Sequence, residues 1–466
     1  MVFMKKKIRT LFIFLLFGAT WIFLFRVTGN PIPWQIGGGS GQNGVSVSLG
    51  DVPAQNYDRM GFTGGFIQYV KKDKSWIVGT DRGEIFRFDD QGRQMWKHAV
   101  GDGSIVSMKL SDDESVIYAG ERSASGYLYA IDADNGNILW KYASSQLIGA
   151  DPMLRSEPAP VHLSTDREGH VYANFHRFVM NRQGNRSYQG RVAAFDRTGQ
   201  VLWMYPAGEN LDSWINWNDV SDASDKVVFS TSNYETDLQI RYHQTLYVLN
   251  RETGEKESDT LIPGEPLSGA AVMRGSPNFS ADGQTMAGTA SDGRAFLFDS
   301  LGRILWTRYI ARPADIQGAW INAVGRDGFV IPEGVVFTTI NTFNRENWQL
   351  PTPVIHPSSN SLFLFSPEGR FLFKYTARGE IESVSFAPGL AVLAVGRNVR
   401  THDYTVHGAA AVSLTDGQEL NFFPTEGPLQ AASVSDDGRQ IAGIEAPAVT
   451  PDGKLIGAYR FHLWNR

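Results

Sequence analysis

The chain has 466 residues, a formal net charge of −6, no cysteine, 48 glycines and 12% aromatic residues. With no thiol, disulfides, thiolate metal sites, cysteine nucleophiles and a lipidated cysteine are excluded, and the acidic balance argues against nucleic acid as a partner. Many aromatics and glycines suit short strands and tight turns, and nothing after the N-terminal segment keeps a helical period, so an all-β body is expected.

The chain opens with Lys5, Lys6, Lys7 and Arg9 ahead of an apolar run from Leu11 to Phe25, which Arg26 closes. Cations before an apolar run keep the N-terminus cytoplasmic and send the rest across. Residues 1–27 are therefore read as an N-terminal membrane anchor, inserted through residues 8–25, or as a signal peptide. The run is shorter than the roughly 20 residues of a typical span, but no small-residue cleavage site stands near Thr28 or Gly29, which favours the anchor. Residues 28–43 (TGNPIPWQIGGGSGQN) have the glycine, serine and proline of a flexible linker. Residues 44–466 should then lie outside the cytoplasm. Five of the 43 basic residues and none of the 49 acidic ones precede residue 28, so the exported part carries 38 against 49, a balance of −11.

From the linker onward one pattern recurs. GYLYAIDADNGNILWKY places Gly126, Asp132, Gly136 and Trp140; GEIFRFDDQGRQMWKH places Gly83, Asp89, Gly92 and Trp96. GRVAAFDRTGQVLWMY gives Gly190, Asp196, Gly199 and Trp203, and GRAFLFDSLGRILWTR gives Gly293, Asp299, Gly302 and Trp306. First glycine to aspartate is six residues in all four, and second glycine to tryptophan is four. Three weaker copies turn at Asn250–Gly254, Ser366–Gly369 and Ser413–Gly417, with Ser258, Phe373 and Asn421 in the tryptophan position. Alternation with period two, broken by Asp or Asn and then Gly, is a β-hairpin. The closing tryptophan is large enough to plug the gap between neighbouring sheets.

Each copy follows another hairpin, with turns such as Ser111–Ser115, Ser280–Gln284 and Ser435–Arg439. Two hairpins make a four-stranded sheet of about 50 residues, the size of a propeller blade. Eight such units begin near residues 64, 104, 156, 214, 273, 317, 381 and 430, and the last stops before its fourth strand. Residues 44–53 (GVSVSLGDVP) can supply it, closing the ring and removing two sheet edges. The expected fold is a β-propeller of eight four-stranded blades over residues 44–466, with seven blades as the alternative, and one N-terminal membrane helix.

The motif G-x-L-Y-A-[IF]-D-x-x-x-G-x-x-L-W-[KR] resembles the repeat of the pyrroloquinoline-quinone-like propellers over roughly residues 60–466. That resemblance implies one of two branches. In the quinone-dependent dehydrogenases the quinone lies against a vicinal disulfide in many members and a calcium ion is held by carboxylates and amides. A chain without cysteine departs from that pattern. DADNGN (Asp132–Asn137) has Ala143 where a calcium loop needs its last acidic residue, and it coincides with a repeat turn. The other branch, the non-catalytic BamB-like propellers, implies a scaffold without a cofactor, although here a peptide segment stands where those proteins carry a lipidated cysteine.

Other chemistry is sparse. His162, His170 and His176 do not match zinc spacing, though two of them six residues apart on one strand are a conceivable ligand pair. No nucleophile elbow and no phosphate loop is present. The chain is expected to be a non-enzymatic interaction module without cofactor, whose partners are other envelope or membrane proteins. The alternatives are a quinone- or metal-dependent oxidoreductase and a ligand- or carbohydrate-binding sensor. WINWNDV and AWINAVG put Trp214 with Asn216, and Trp320 with Asn322, two apart at the start of their blades. Trp plus amide grips polar ligands; the same residues serve equally as inter-blade packing and backbone partners. The insertion 341–360 carries Phe343, Arg345 and Trp348, aromatic and cationic groups suited to a protein contact. Segments 144–155 and 181–189 also exceed turn length.

Overall fold

The computed structural model describes residues 44–50, 66–101, 103–151, 153–154, 156–180, 184, 186–232, 243–263, 273, 275, 277–345, 352–396, 406–450 and 452–466. The expected anchor and linker lie outside these, and among the described residues no helix is long and apolar enough to cross a membrane. The described chain forms eight antiparallel sheets, in seven of which only consecutive strands pair, plus one small hairpin, Ala448–Val449 with Leu455–Ile456. Blade 1 runs Phe66–Val70, Ser75–Gly79, Glu84–Phe88 and Gln94–Ala99 from the inside out. The inner strands of the next seven are Ser104–Leu110, Ala159–Thr165, Trp214–Ser221, Asn278–Phe279, Ala319–Ile331, Ile381–Ala387 and Leu429–Val434. These starts follow the repeat closely.

The ring closes as the sequence implies. Gly44–Ser48 pairs with Arg460–Asn465, which pairs with Gln440–Glu445, so the first strand completes the last sheet. One blade departs from the four-strand expectation. Blade 6 has five strands because Ala314–Ile316 folds back on Ala319–Ile331, placing Asp315 opposite Trp320. The two-residue turn is Gln317–Gly318, with φ of 54° and 78°, and positive φ at both positions matches the twist of a tight hairpin.

The repeat motif is explained by contacts between blades rather than within them. Asp89, Asp196 and Asp299 accept backbone N–H bonds from the residues two and four further on, which fixes the turn. The tryptophan of the outer strand then reaches the next blade. Trp96 Nε1 donates to Ala133 O (3.2 Å), Trp140 to Arg197 O (2.8 Å), Trp203 to Arg251 O (2.8 Å) and Trp306 to Pro367 O (2.9 Å). Each acceptor directly follows the turn-opening Asp, Asn or Ser of the neighbour. The indole also lies on the neighbour's turn glycine: a Cβ on Gly199 would sit 2.7 Å from the Trp140 ring, and on Gly254 2.5 Å from that of Trp203. Those glycines are held at φ of 85° and 71°, so both backbone and neighbour demand glycine. Where the motif has Ser258 instead, its hydroxyl still donates to Leu301 O of the next blade (2.7 Å). The core is correspondingly between sheets: Leu390–Val395 is buried at every residue, whereas the outer strand Gln94–Ala99 is largely exposed.

Candidate protein-interaction face

The strand order sends the first–second and third–fourth turns of each blade to one face. The second–third turns and the inter-blade links go to the other. The first face carries the short Asp/Ser-Gly turns. The second carries the described residues of the longer segments picked out from the sequence: those of 144–155 and 181–189, the start of the Trp214 strand, and the start and end of the Trp320 hairpin.

Blade 3 builds the most pronounced feature there. Val171–Met180 and Arg186–Phe195 pair from Val171↔Phe195 out to Met180↔Arg186, but their inner neighbour stops at Ala159↔His176 and their outer neighbour at Val192↔Tyr205. Residues 177–180 and 186–189 therefore project as a two-stranded arm. Arg177 Nε and Nη2 donate to Gln189 Oε1 (3.2 and 2.8 Å), and Gln189 Nε2 donates to Asp212 Oδ1 (3.0 Å), bracing it. Phe178 N–H bonds Ser156 O (2.8 Å), which holds the preceding link against the arm. Trp214 stacks on Tyr188 (5.4 Å between centroids, 17°), and Tyr188 touches Phe178 (4.8 Å) and His176 (5.6 Å). Burial, with Arg122 alongside, pushes the His176 imidazole down to about 3, so it is neutral. At the rim of this cluster Met180 is 47% exposed, and Met153 on the link is 92% exposed.

The other predicted residues divide. Asn322 faces Phe343 in the blade 6 register, and Arg345 N–H bonds Trp320 O (2.8 Å), so Trp320, Asn322, Phe343 and Arg345 do come together. The Arg345 guanidinium lies 5.7 Å from the Phe343 ring centroid, and burial pushes it below its usual range. Trp348 lies outside the described residues. Asn322 is fully buried and donates to Ser291 O of blade 5 (2.8 Å), a strap between blades. Trp320 is not on an open inner edge, since Ala314–Ile316 pairs in front of it. The simple two-residue alternation from Trp214 to Asn216 also fails. The register shifts between Ile215 and Trp217, which makes Asn216 the extra residue of a bulge; its side chain lies outside the description.

Sequence reasoning passed over the second half of WINWNDV. Trp217 rests on His162 (3.6 Å between centroids) and donates to Asn278 Oδ1 (3.0 Å). Fully buried Asn218 donates to Tyr172 O (3.0 Å) and Asn174 Oδ1 (2.9 Å), and its Oδ1 meets His162 Nδ1 (2.8 Å). Asp219 Oδ2 accepts Phe279 N–H (2.7 Å), and burial pushes this carboxyl up to about 6. Burial pushes His162 down to about 4. These residues stitch the inner strands of blades 3, 4 and 5 together. The repeated Trp–Asn within one heptapeptide was the available signal.

The histidines do not form a ligand pair: His176 lies beside Arg122, whereas His170 is at the opposite end of its strand beside Asp166 (2.9 Å). Asp166, Glu168 and His170 have donor atoms within 4.8 Å of one another. That position is taken by a cation already, because Arg251 Nη1 bonds Asp166 (3.0 Å), Glu168 (2.8 Å) and Asp222 (2.8 Å). In DADNGN, Asp132 accepts the N–H of Asp134 and Asn135, as Asn250 does from Glu252 and Thr253 in the corresponding turn of blade 4.

A family model described as outer membrane protein assembly factor BamB matches residues 35–308. No curated protein matches the chain. Among solved structures, BamB from Moraxella catarrhalis is 12% identical with a TM-score of 0.51, over 91% of this chain and 100% of its own. The Dos1 propeller is 11% identical with a TM-score of 0.42, over 85% of this chain and 77% of its own. The β-propeller domain of Cps50 (Swd1) from Myceliophteria thermophila is 9% identical with a TM-score of 0.46, over 91% and 100%.

Proposed function

Because the chain belongs to the family described as outer membrane protein assembly factor BamB, we propose that it is a membrane-anchored scaffold that docks proteins of the cell envelope on its arm-bearing face. Family membership and fold support a role in protein interaction. Envelope location and attachment rest on the order of cations and apolar residues in 1–27.

One observation carries the choice of surface. Met180 stands exposed two residues from half-buried Phe178 on a braced arm, where Tyr188 meets both Phe178 and Trp214, and Met153 is exposed on the link that precedes the blade. An adaptable methionine next to rigid aromatics is suited to a protein partner. The opposite face offers short polar turns. A photo-crosslinking residue at Met180 should capture envelope proteins in cells, and one at Arg303, on an exposed turn of the other face, should not. Equal capture at both positions, or none at Met180, would overturn the assignment. Location is tested separately: protease added to spheroplasts should degrade the propeller, and full protection would reject an extracytoplasmic body.

A further inference from the structure

The closing sheet holds a hydroxyl, an imidazole and a carboxylate in series across three adjacent strands. Ser46 Oγ lies 2.7 Å from His462 Nδ1, and His462 Nε2 lies 2.7 Å from Glu445 Oε2. Glu445 and His462 are buried, whereas Ser46 is exposed. The other oxygen of Glu445 accepts the N–H groups of Gly427 (2.8 Å) and Ala458 (3.0 Å), and Arg460 Nη1 stands 4.0 Å from Oε2. The His462 ring is clamped against Trp464, with 5.1 Å between centroids and 2° between planes.

The hydrogens follow from these partners. Ionised Glu445 only accepts, so His462 carries its proton on Nε2 and its Nδ1 lone pair receives the Ser46 hydroxyl proton. That is the polarity of an activated serine: base next to the hydroxyl, carboxylate behind the base. The backbone adds a second element. Leu49 N–H donates to Tyr459 O (2.9 Å), and the register places Val47 opposite Phe461 and Ser46 opposite His462. Bonded pairs alternate in an antiparallel ladder, so Ser46 and His462 form a non-bonded pair. Their side chains approach closely, and Ser46 N–H points away from its neighbour at the outer edge, where it can face an oxyanion formed at its own Oγ.

We propose that Ser46 is a nucleophile, activated by His462 and Glu445, that takes an acyl group from esters at the edge of the closing sheet. Ser46 Oγ forms a bond to the ester carbonyl carbon while its proton passes to His462 Nδ1. The carbon–oxygen bond to the leaving alkoxide then breaks, and the proton on Nδ1 goes to that alkoxide. The products are O-acyl Ser46 and one alcohol; Glu445 holds the ring and its transient charge throughout.

The test uses the full 466-residue chain and a fluorophosphonate, which reports the same attack through loss of fluoride, with adducts mapped by peptide mass. Ser48, exposed on the same strand without an imidazole partner, is the internal reference. General-base help contributes on the order of 10²–10⁴ in rate, so Ser46 should label at least about tenfold faster than Ser48. His462→Gln keeps a donor toward Glu445 but cannot take the proton, and should cut Ser46 labelling by at least about tenfold at an unchanged circular dichroism spectrum. With p-nitrophenyl acetate, wild type should release a burst of p-nitrophenolate that Ser46→Ala lacks. Labelling of Ser46 no faster than Ser48 would overturn the proposal. So would undiminished labelling in folded His462→Gln; should that variant not fold, the Ser46-to-Ser48 ratio in wild type decides alone.

Discussion

Replacing Gly254 by alanine should damage the blade 3–blade 4 junction, and the damage should depend on a residue in the other blade. Gly254 has φ of 71°, and an L-residue in that region costs about 1–2 kcal/mol. Its new Cβ would stand 2.5 Å from Trp203 Cδ2 and 2.6 Å from Cε3. The indole cannot step aside freely, since its Nε1 is bonded to Arg251 O and the ring is 8% exposed. Forcing a methyl into such a packed place costs a further ~1–3 kcal/mol. Trp203→Ala alone should cost about 3–5 kcal/mol. In that background the methyl meets no ring and only the backbone term remains, so the double-mutant cycle should show a coupling of ~1–3 kcal/mol. Guanidinium unfolding followed by near- and far-ultraviolet circular dichroism gives the four stabilities, and coincident transitions license the two-state treatment. Additivity within about 0.5 kcal/mol would refute the idea that glycine and tryptophan of the repeat are partners across blades.

Deleting residues 44–48 should open the closing sheet and lower the melting temperature by several degrees; an unchanged value would mean that the strand contributes nothing to the ring. Asn322→Ala should remove the hydrogen bond that straps blade 6 to Ser291 O of blade 5 and cost about 1–3 kcal/mol, read from the unfolding midpoint, while leaving capture at Met180 intact. Asp219→Asn bears on pH: the carboxyl is raised in the fold to about 6, so the folded state favours its neutral form, and wild type loses stability as pH climbs from the unfolded value toward and past 6. The asparagine variant should therefore gain on wild type between pH 4 and 7, with no gain below that window; a stability difference that stays flat with pH would contradict the assignment.

The repeat made the blades legible because one hairpin, written four times with constant spacing, fixes strand, turn and plug together. Even the strand exchange at the ends could be read, since the eighth unit lacked a strand and residues 44–53 alternated with nothing local to pair. The candidate face was legible only in part. Trp320, Asn322, Phe343 and Arg345 converge because register is a local property of one hairpin. Trp214 does not behave as its twin, because the register shifts at Asn216, as it does near the start of the inner strands of blades 2, 3, 7 and 8, and strict alternation does not carry across the shift. The role of Asn218, buried between blades 3 and 4, was invisible because its partners are 44, 46 and 56 residues away. Tyr188 gave no periodic signal at all, since an arm that leaves its sheet leaves the repeat as well.

The pairing of Ser46 with His462, 416 residues apart, governs how this molecule can be made. Among the described strands, the earliest in the chain pairs with the latest. Contacts of such range are reached slowly, and until they form the last sheet and the lone strand Gly44–Ser48 both expose unpaired edges that invite other chains. A polypeptide threaded across a membrane from its N-terminus would wait through its entire passage with that edge open. Linking residue 466 to residue 44 and opening the ring between two blades instead should convert this longest contact into a local hairpin and hasten refolding.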